Sequence, residues 1–155
     1  MKIKPLKQRD SIACGPTSIK MVCNYFDTPH TLNQIKEITK YRQRDGLTNS
    51  QLEKALQQLA FKTEERINAT WNDLKKYNMK EKVIILSWMY KGYIGHFSVL
   101  EKATDTHISL ADPEAGKIIR IPKMQFIRLW HDCDNLWFPL KNTDIQLRWM
   151  LVVSK

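Results

Sequence analysis

Gln8-Arg9-Asp10-Ser11-Ile12-Ala13-Cys14-Gly15-Pro16-Thr17-Ser18-Ile19-Lys20-Met21-Val22 passes within fifteen residues from a polar lead-in to an apolar helix pattern. Ile19, Val22, Cys23 and Phe26 recur at helical spacing, and Pro16 suits a first turn, where its missing N–H breaks no internal bond. A helix is therefore expected from close to Cys14 until just before Asp27-Thr28-Pro29. Such a start leaves backbone N–H groups unpaired and turns the positive end of the helix toward Cys14, an environment that favours a thiolate. The same N–H groups can face the oxygen of a tetrahedral intermediate, and Gly15 lets backbone and substrate approach closely. The bland alternative for Cys14 is a small core residue at a helix start. Cys23 lies nine residues further on, on the opposite face at about 100° per residue, and reads as a buried, inert thiol. Gln8 stands in a stretch too polar for a core. Its amide is a neutral donor able to serve an oxyanion, although a lone glutamine there would be read as surface.

Outward from this stretch, Thr31 with Gln34, Ser50 with Glu53 and Thr70 with Asp73 have capping-box spacing and predict three further helices. Apolar stripes follow the first two, Ile35 and Ile38 in one and Leu52, Leu56 and Leu59 in the other. After residue 80 the period changes. Val83-Ile84-Ile85-Leu86 reads as a buried strand, and Phe97–Glu101, His107–Leu110 and Lys117–Ile121 as further strands. Lys123–Trp130 reads as a short helix after Pro122, and Leu147–Val153 as a closing strand, paired with part of Leu136–Leu140. Helices first and antiparallel strands afterwards give an α+β domain. One domain over residues 1–155 is expected, since a chain of this length that is 43% hydrophobic buries one sizeable core.

Of four histidines, only His96 introduces an apolar strand, Phe97-Ser98-Val99-Leu100, with Gly92 and Gly95 leaving room before it. If residues 96–103 and 106–112 form a hairpin around Thr104-Asp105, position 96 falls opposite 112 or 113. Cβ atoms directly opposite on one face lie roughly 5 Å apart, so the Asp112 carboxylate can accept from the imidazole and fix its tautomer. Asp112-Pro113 is also an ordinary turn opening, in which the carboxylate caps its own loop. Trp88, Tyr90 and Tyr93 lie just before the histidine and fit the walls of a narrow cleft or a helix-docking face, or equally core and rim. His131, Asp132, Cys133 and Asp134 carry metal-capable atoms without the spacing of a closed zinc site, so neither metal nor cofactor is expected.

Composition narrows the partners. A formal charge of +9 is spread along the chain, and no zinc-finger or RNP motif accompanies it, so nucleic acid is not expected. Residues 1–12 lack the apolar segment of a secretory signal, and no run of apolar residues is long enough to span a bilayer. Three cysteines without CxxC spacing suit a reducing compartment. A cytoplasmic chain, or the cytoplasmic part of a larger protein, is the expectation.

Taken in order, these residues resemble the C39 family, the bacteriocin leader-processing peptidases within the papain-like cysteine peptidases. The first motif resembles the family's glutamine, its Cys-Gly pair and a small-residue helix ending in Met21-Val22. Gly95-His96-Phe97-Ser98-Val99-Leu100 is similar to its histidine strand, and Leu110-Ala111-Asp112-Pro113 to its Asp-Pro motif. The resemblance runs from about residue 5 to residue 130. It implies a papain-like fold and a bacterial, peptide-processing thiol protease. Cys14 would be the nucleophile, His96 the base, Asp112 its orienter and Gln8 the oxyanion donor, with Gly15, Trp88, Tyr90, Tyr93 and Gly95 available to substrate. The substrate it implies is a peptide cleaved after a Gly-Gly pair. Ala13 replaces the acidic residue that many members carry before the cysteine, and the fused exporting transporter of many members has no counterpart here, so a transporter or membrane surface would act in trans. The same triad also serves an acyltransferase or a deamidase, and a non-catalytic peptide-binding module would keep the fold alone.

Overall fold

In a computed structural model, residues 2–133 and 138–155 are described. The cysteine helix, α1, spans Cys14–Tyr25, followed by α2 (Leu32–Ile38) and α3 (Asn49–Gln58). A short strand, β1 (Lys62–Arg66), and α4 (Trp71–Tyr77) lead to the strands β2 (Val83–Tyr90), β3 (Ile94–Ala103), β4 (His107–Asp112) and β5 (Lys117–Pro122). Helix α5 (Lys123–Leu129), a two-residue strand pair β6 (His131–Asp132) and β7 (Gln146–Leu147), and β8 (Met150–Ser154) complete the chain. The main sheet has the order β1-β8-β2-β3-β4-β5 with antiparallel neighbours. This is the expected α+β architecture.

The continuous apolar run of β2 is explained by helices on both faces of the sheet. Val83 and Ile85 point to one side, where Ile19, Val22, Ile35, Leu52 and Leu56 of α1–α3 pack with Val99, Trp149 and Leu151. Ile84, Leu86 and Trp88 point to the other, against Leu74 of α4 and Phe126 of α5, with Leu100, Leu110 and Val152. Successive strand residues alternate faces, so a strand sandwiched between two helical layers is apolar throughout.

Three expectations need correction. The first half contains a strand: β1, Lys62-Thr63-Glu64-Glu65-Arg66, pairs with β8 at the edge of the sheet. Its charges suit an edge, where one side of the backbone lacks a partner strand. Helix α3 is capped by Thr48, which accepts from Gln51 N–H at 3.1 Å, instead of Ser50 with Glu53. Starting two residues earlier places Leu47 before the cap and Leu52 four positions into the helix, and both join the same core. At the end of the chain, Leu147 pairs with His131 in the small ribbon, and β8 lies between β1 and β2. Residues 134–137, which include the first two of the five in the expected partner segment, lie outside the described residues, and 138–140 form no strand.

Replacing Thr48 by alanine is expected to cost about 0.5–2 kcal/mol of stability, the usual worth of such a cap. Ser50→Ala should change stability by less than about 0.5 kcal/mol. Urea denaturation of the two variants checks this, and equal losses would contradict the capping assignment.

Candidate active site

Helix α1 begins without a side-chain cap. Its first internal bond runs from Thr17 N–H to the Ala13 carbonyl at 3.1 Å. Pro16 has no N–H to satisfy, so the unpaired donors of the first turn are those of Cys14 and Gly15. Gly15 is buried, and a Cβ there would stand 2.8 Å from a Leu47 methyl group. Its small size thus lets the Leu47 side chain close over the helix start, and the side chain that reaches the cleft here is Leu47. Cys14 lines the cleft. Cys23 is fully buried on the core side of α1, where loss of solvent raises its thiol pKa.

The opposite wall comes from the sheet. His96 pairs across from Trp88, and Nε2 of its ring donates to Asp112 Oδ2 at 2.7 Å. The register differs from that of a plain hairpin. A bulge between Leu100 and Lys102 shifts the β3–β4 pairing, which reads Val99 against Ala111, so continuing it sets Asp112 across from Ser98 and diagonal to His96. Ser98 Oγ also donates to Asp112 Oδ2, at 2.9 Å, and accepts from Trp88 Nε1 at 3.1 Å. The other carboxylate oxygen accepts from Ala115 N–H at 2.7 Å. Three donors thus hold one fully buried carboxylate. Ser98 is a site residue that the sequence reading missed. Its signal was position: two residues after His96 on one strand, it shares the histidine's face.

Burial works against charge on both groups of this pair, and the partners reverse the outcome. Loss of solvent would raise the Asp112 carboxyl, but the His96 bond and charge, with the Ala115 and Ser98 bonds, hold it below its usual range. Burial would likewise lower His96. Hydrogen bonds with Asp112 and Cys14, and the charges of both, outweigh it and push the imidazole up to about 9. With Nε2 occupied by Asp112, the other ring nitrogen is the one left for Cys14. The geometry therefore holds a buried imidazolium beside the Asp112 carboxylate, and Cys14 lines the same cleft as the His96 ring.

Gln8 is brought to the same turn. Its backbone N–H donates to Pro113 O at 2.8 Å and its side-chain Nε2 to Glu114 Oε2 at 2.7 Å. The cleft between the walls has a volume of about 660 Å³ and is bordered by Arg42, Leu47, Tyr90, Tyr93, Gly95 and Glu114, among others. Tyr90 packs against His96 with the rings tilted by 39° and their centroids 5.1 Å apart, and Tyr93 is 72% exposed at the rim. Trp88 is buried and borders a neighbouring apolar groove in place of the cleft. At Gly95 a Cβ would come within 2.9 Å of Asp132 Oδ1. That carboxyl accepts from Ser87 Oγ and Cys133 N–H, and burial raises its pKa. Asp132, metal-capable by sequence, is thus a buried and hydrogen-bonded carboxyl behind Gly95, and Asp134 lies outside the described residues.

A group whose pKa is raised on folding stabilises the protein fully below its unfolded value, near 6.5, and that contribution disappears as the pH rises through the folded value. Wild-type stability is therefore expected to fall from about pH 6.5 to pH 9–10 as the imidazolium is lost. His96→Gln should lack this decline. Denaturant midpoints measured at half-unit pH steps test it, and parallel profiles for the two proteins would refute an imidazolium held by Asp112.

The Peptidase C39 family model matches residues 2–135 of the chain. The transport/processing ATP-binding protein ComA of Streptococcus pneumoniae is 27% identical over 126 residues, which is 79% of this chain but 17% of that protein. Among solved structures, the peptidase domain of Streptococcus ComA, a bifunctional ABC transporter of a quorum-sensing pathway, superposes with a TM-score of 0.73. It is 18% identical, with 98% of each chain covered. A double glycine motif protease from an AMS/PCAT transporter, solved in complex with the leader peptide, gives a TM-score of 0.72 at 20% identity, covering 99% of this chain and 94% of the other. The chain spans less than a fifth of the length of the curated relative it matches. The match of the family model over most of its length makes this chain a member of the Peptidase C39 family, with the papain-like fold of a cysteine peptidase.

Proposed function

We propose that residues 1–155 act as one peptidase unit that cleaves a peptide after a Gly-Gly pair, with Cys14 as nucleophile, His96 as acid and base, Asp112 as orienter and Gln8 as oxyanion donor. The observation that carries the reading is the convergence of Cys14 and the Asp112-bound His96 ring on one cleft. The thiolate adds to the peptide carbonyl carbon. The N–H groups of Cys14 and Gly15 and the Gln8 amide nitrogen hold the resulting oxyanion. His96, as imidazolium, gives its proton to the leaving amine, and the thioester remains on Cys14. The neutral imidazole then takes a proton from water, whose oxygen attacks the thioester and releases the thiolate. Asp112 keeps Nε2 protonated, so that the other ring nitrogen faces sulfur and substrate.

The family and the double glycine motif of a similar protease support a Gly-Gly substrate. A second groove of about 690 Å³ adjoins the cleft through Tyr90 and Lys91, with Trp88, Ile119, Ile121, Met124 and Leu129 in its walls. Its apolar lining suits an apolar face of a leader segment remote from the cleaved bond, where binding energy can orient the reacting carbonyl. Among the described residues no helix is long and apolar enough to cross a membrane. Similarity to part of a transporter supports action on the cytoplasmic side, beside an exporter.

A leader peptide carrying Gly-Gly should be cut after the second glycine, giving a product that gains one water, and Cys14→Ala should leave it intact. Mass spectrometry of the products reads this, and a product that gains an amine in place of water would replace hydrolysis by acyl transfer. Met124→Asp should raise KM for the long leader about tenfold, the worth of one buried apolar contact, and leave a short Gly-Gly peptide unchanged. Equal effects on both peptides would remove the groove from the reading.

A further inference from the structure

The turn after Asp112 does more than close a hairpin. Gln8 is 6% exposed, and its amide makes one side-chain hydrogen bond, from Nε2 to Glu114 Oε2, while its buried Oε1 has no partner. A carboxylate only accepts hydrogen bonds. Were the amide turned over, its oxygen would face the carboxylate and the bond would be lost. Glu114 thereby dictates which end of the Gln8 amide is the nitrogen. That nitrogen carries two hydrogens. Glu114 engages one, and the second is fixed in the amide plane at a set angle from the first.

Glu114 is itself held. Lys7 Nζ donates to its backbone carbonyl and pairs with its Oε1 at 3.8 Å. Lys7 packs so closely on the turn that a Cβ at Gly116 would meet the Lys7 Cβ at 2.8 Å. Gln8 N–H on Pro113 O ties the two segments once more. Glu114 also borders the cleft that Cys14 lines. A free carboxylate there would oppose an oxyanion; one engaged by both an ammonium and an amide is partly offset.

We infer that Glu114 is a positioning residue for the reaction, setting the Gln8 amide so that a fixed N–H, and never the carbonyl, is presented to the oxyanion. The inference rests on Gln8 as the oxyanion donor. Without Glu114 nothing holds the N–H end in place, and the orientation that sets an oxygen against the developing charge competes with the productive one. The cost falls on the transition state and leaves substrate binding alone.

The test is steady-state cleavage of a Gly-Gly leader peptide by wild type, Glu114→Ala, Glu114→Gln, Gln8→Ala and the double variant Gln8→Ala/Glu114→Ala. Removing an oxyanion donor costs about 100- to 1,000-fold in kcat, so Gln8→Ala should fall in that range and Glu114→Ala should lose about 5- to 30-fold, with KM within about twofold. Glu114→Gln, whose Oε1 still accepts, should recover to within about threefold of wild type. In the Gln8→Ala background Glu114→Ala should cost nothing further, because the group it acts through is gone. A Glu114→Ala enzyme as fast as wild type or faster, or one whose loss persists undiminished without Gln8, overturns the inference while leaving Gln8 in its role. A Gln8→Ala enzyme with unchanged kcat removes that role instead, and the inference with it. Thermal melts accompany each variant. If Glu114→Ala does not fold, Lys7→Met takes its place, with a smaller kcat loss that Gln8→Ala must again abolish.

Discussion

The hydrogen bond from His96 to Asp112 is made where both partners are almost out of reach of water, and the arrangement of the sheet follows from what that bond requires. A buried charge pair is favourable only if its remaining polar atoms are also satisfied. For the carboxylate they are: Ser98 and the Ala115 amide complete it, Trp88 steadies Ser98, and Tyr90 packs against the ring. Those groups come from β2, β3 and the turn after β4. The bulge in β3, the Asp112–Gly116 turn and the β2–β3 register are thus all fixed by a single two-atom contact in the middle of them.

The other half of the site depends on close approach. The first turns of α1 carry Gly15, Pro16, Thr17 and Ser18, all buried, so the helix sits tightly on β3, and Ser18 Oγ reaches the Phe97 carbonyl at 3.5 Å. That contact brings the start of the helix to the strand that bears the imidazole. Small residues on the helix act at a distance from the chemistry, by setting how far apart the two walls stand. The polar segment before the helix is then pulled over to the Asp112 turn through Lys7 and Gln8, so four segments distant in sequence share one cleft.

Much of this was legible in the chain. The helix over residues 14–25, the capping boxes of Thr31 and Thr70, and the four central strands follow from spacing alone, because helical and strand periods leave different marks on an apolar run. The pairing of His96 with Asp112 was reached through a direct cross-strand register, whereas the bulge makes it diagonal; an inserted residue leaves no periodic trace. The edge strand β1 was hidden because its five residues are polar and are held by backbone pairing with β8. Glu114 and Ser98 were hidden for another reason. Their importance lies in which atoms they meet, and a glutamate after a proline or a serine in a strand looks like surface or filler until the turn folds back.

The place of β8 has a bearing on biosynthesis. Residues 150–154 are slotted between β1 and β2, and Trp149 and Leu151 lie in the core beneath α1. Until residues 150–154 leave the ribosome, the sheet has a gap through its middle and the layer supporting the cysteine helix is incomplete. The thiol and the imidazole are both translated ahead of that strand, so a nascent chain still lacking it carries the two reacting groups without the floor on which the walls of their cleft are set.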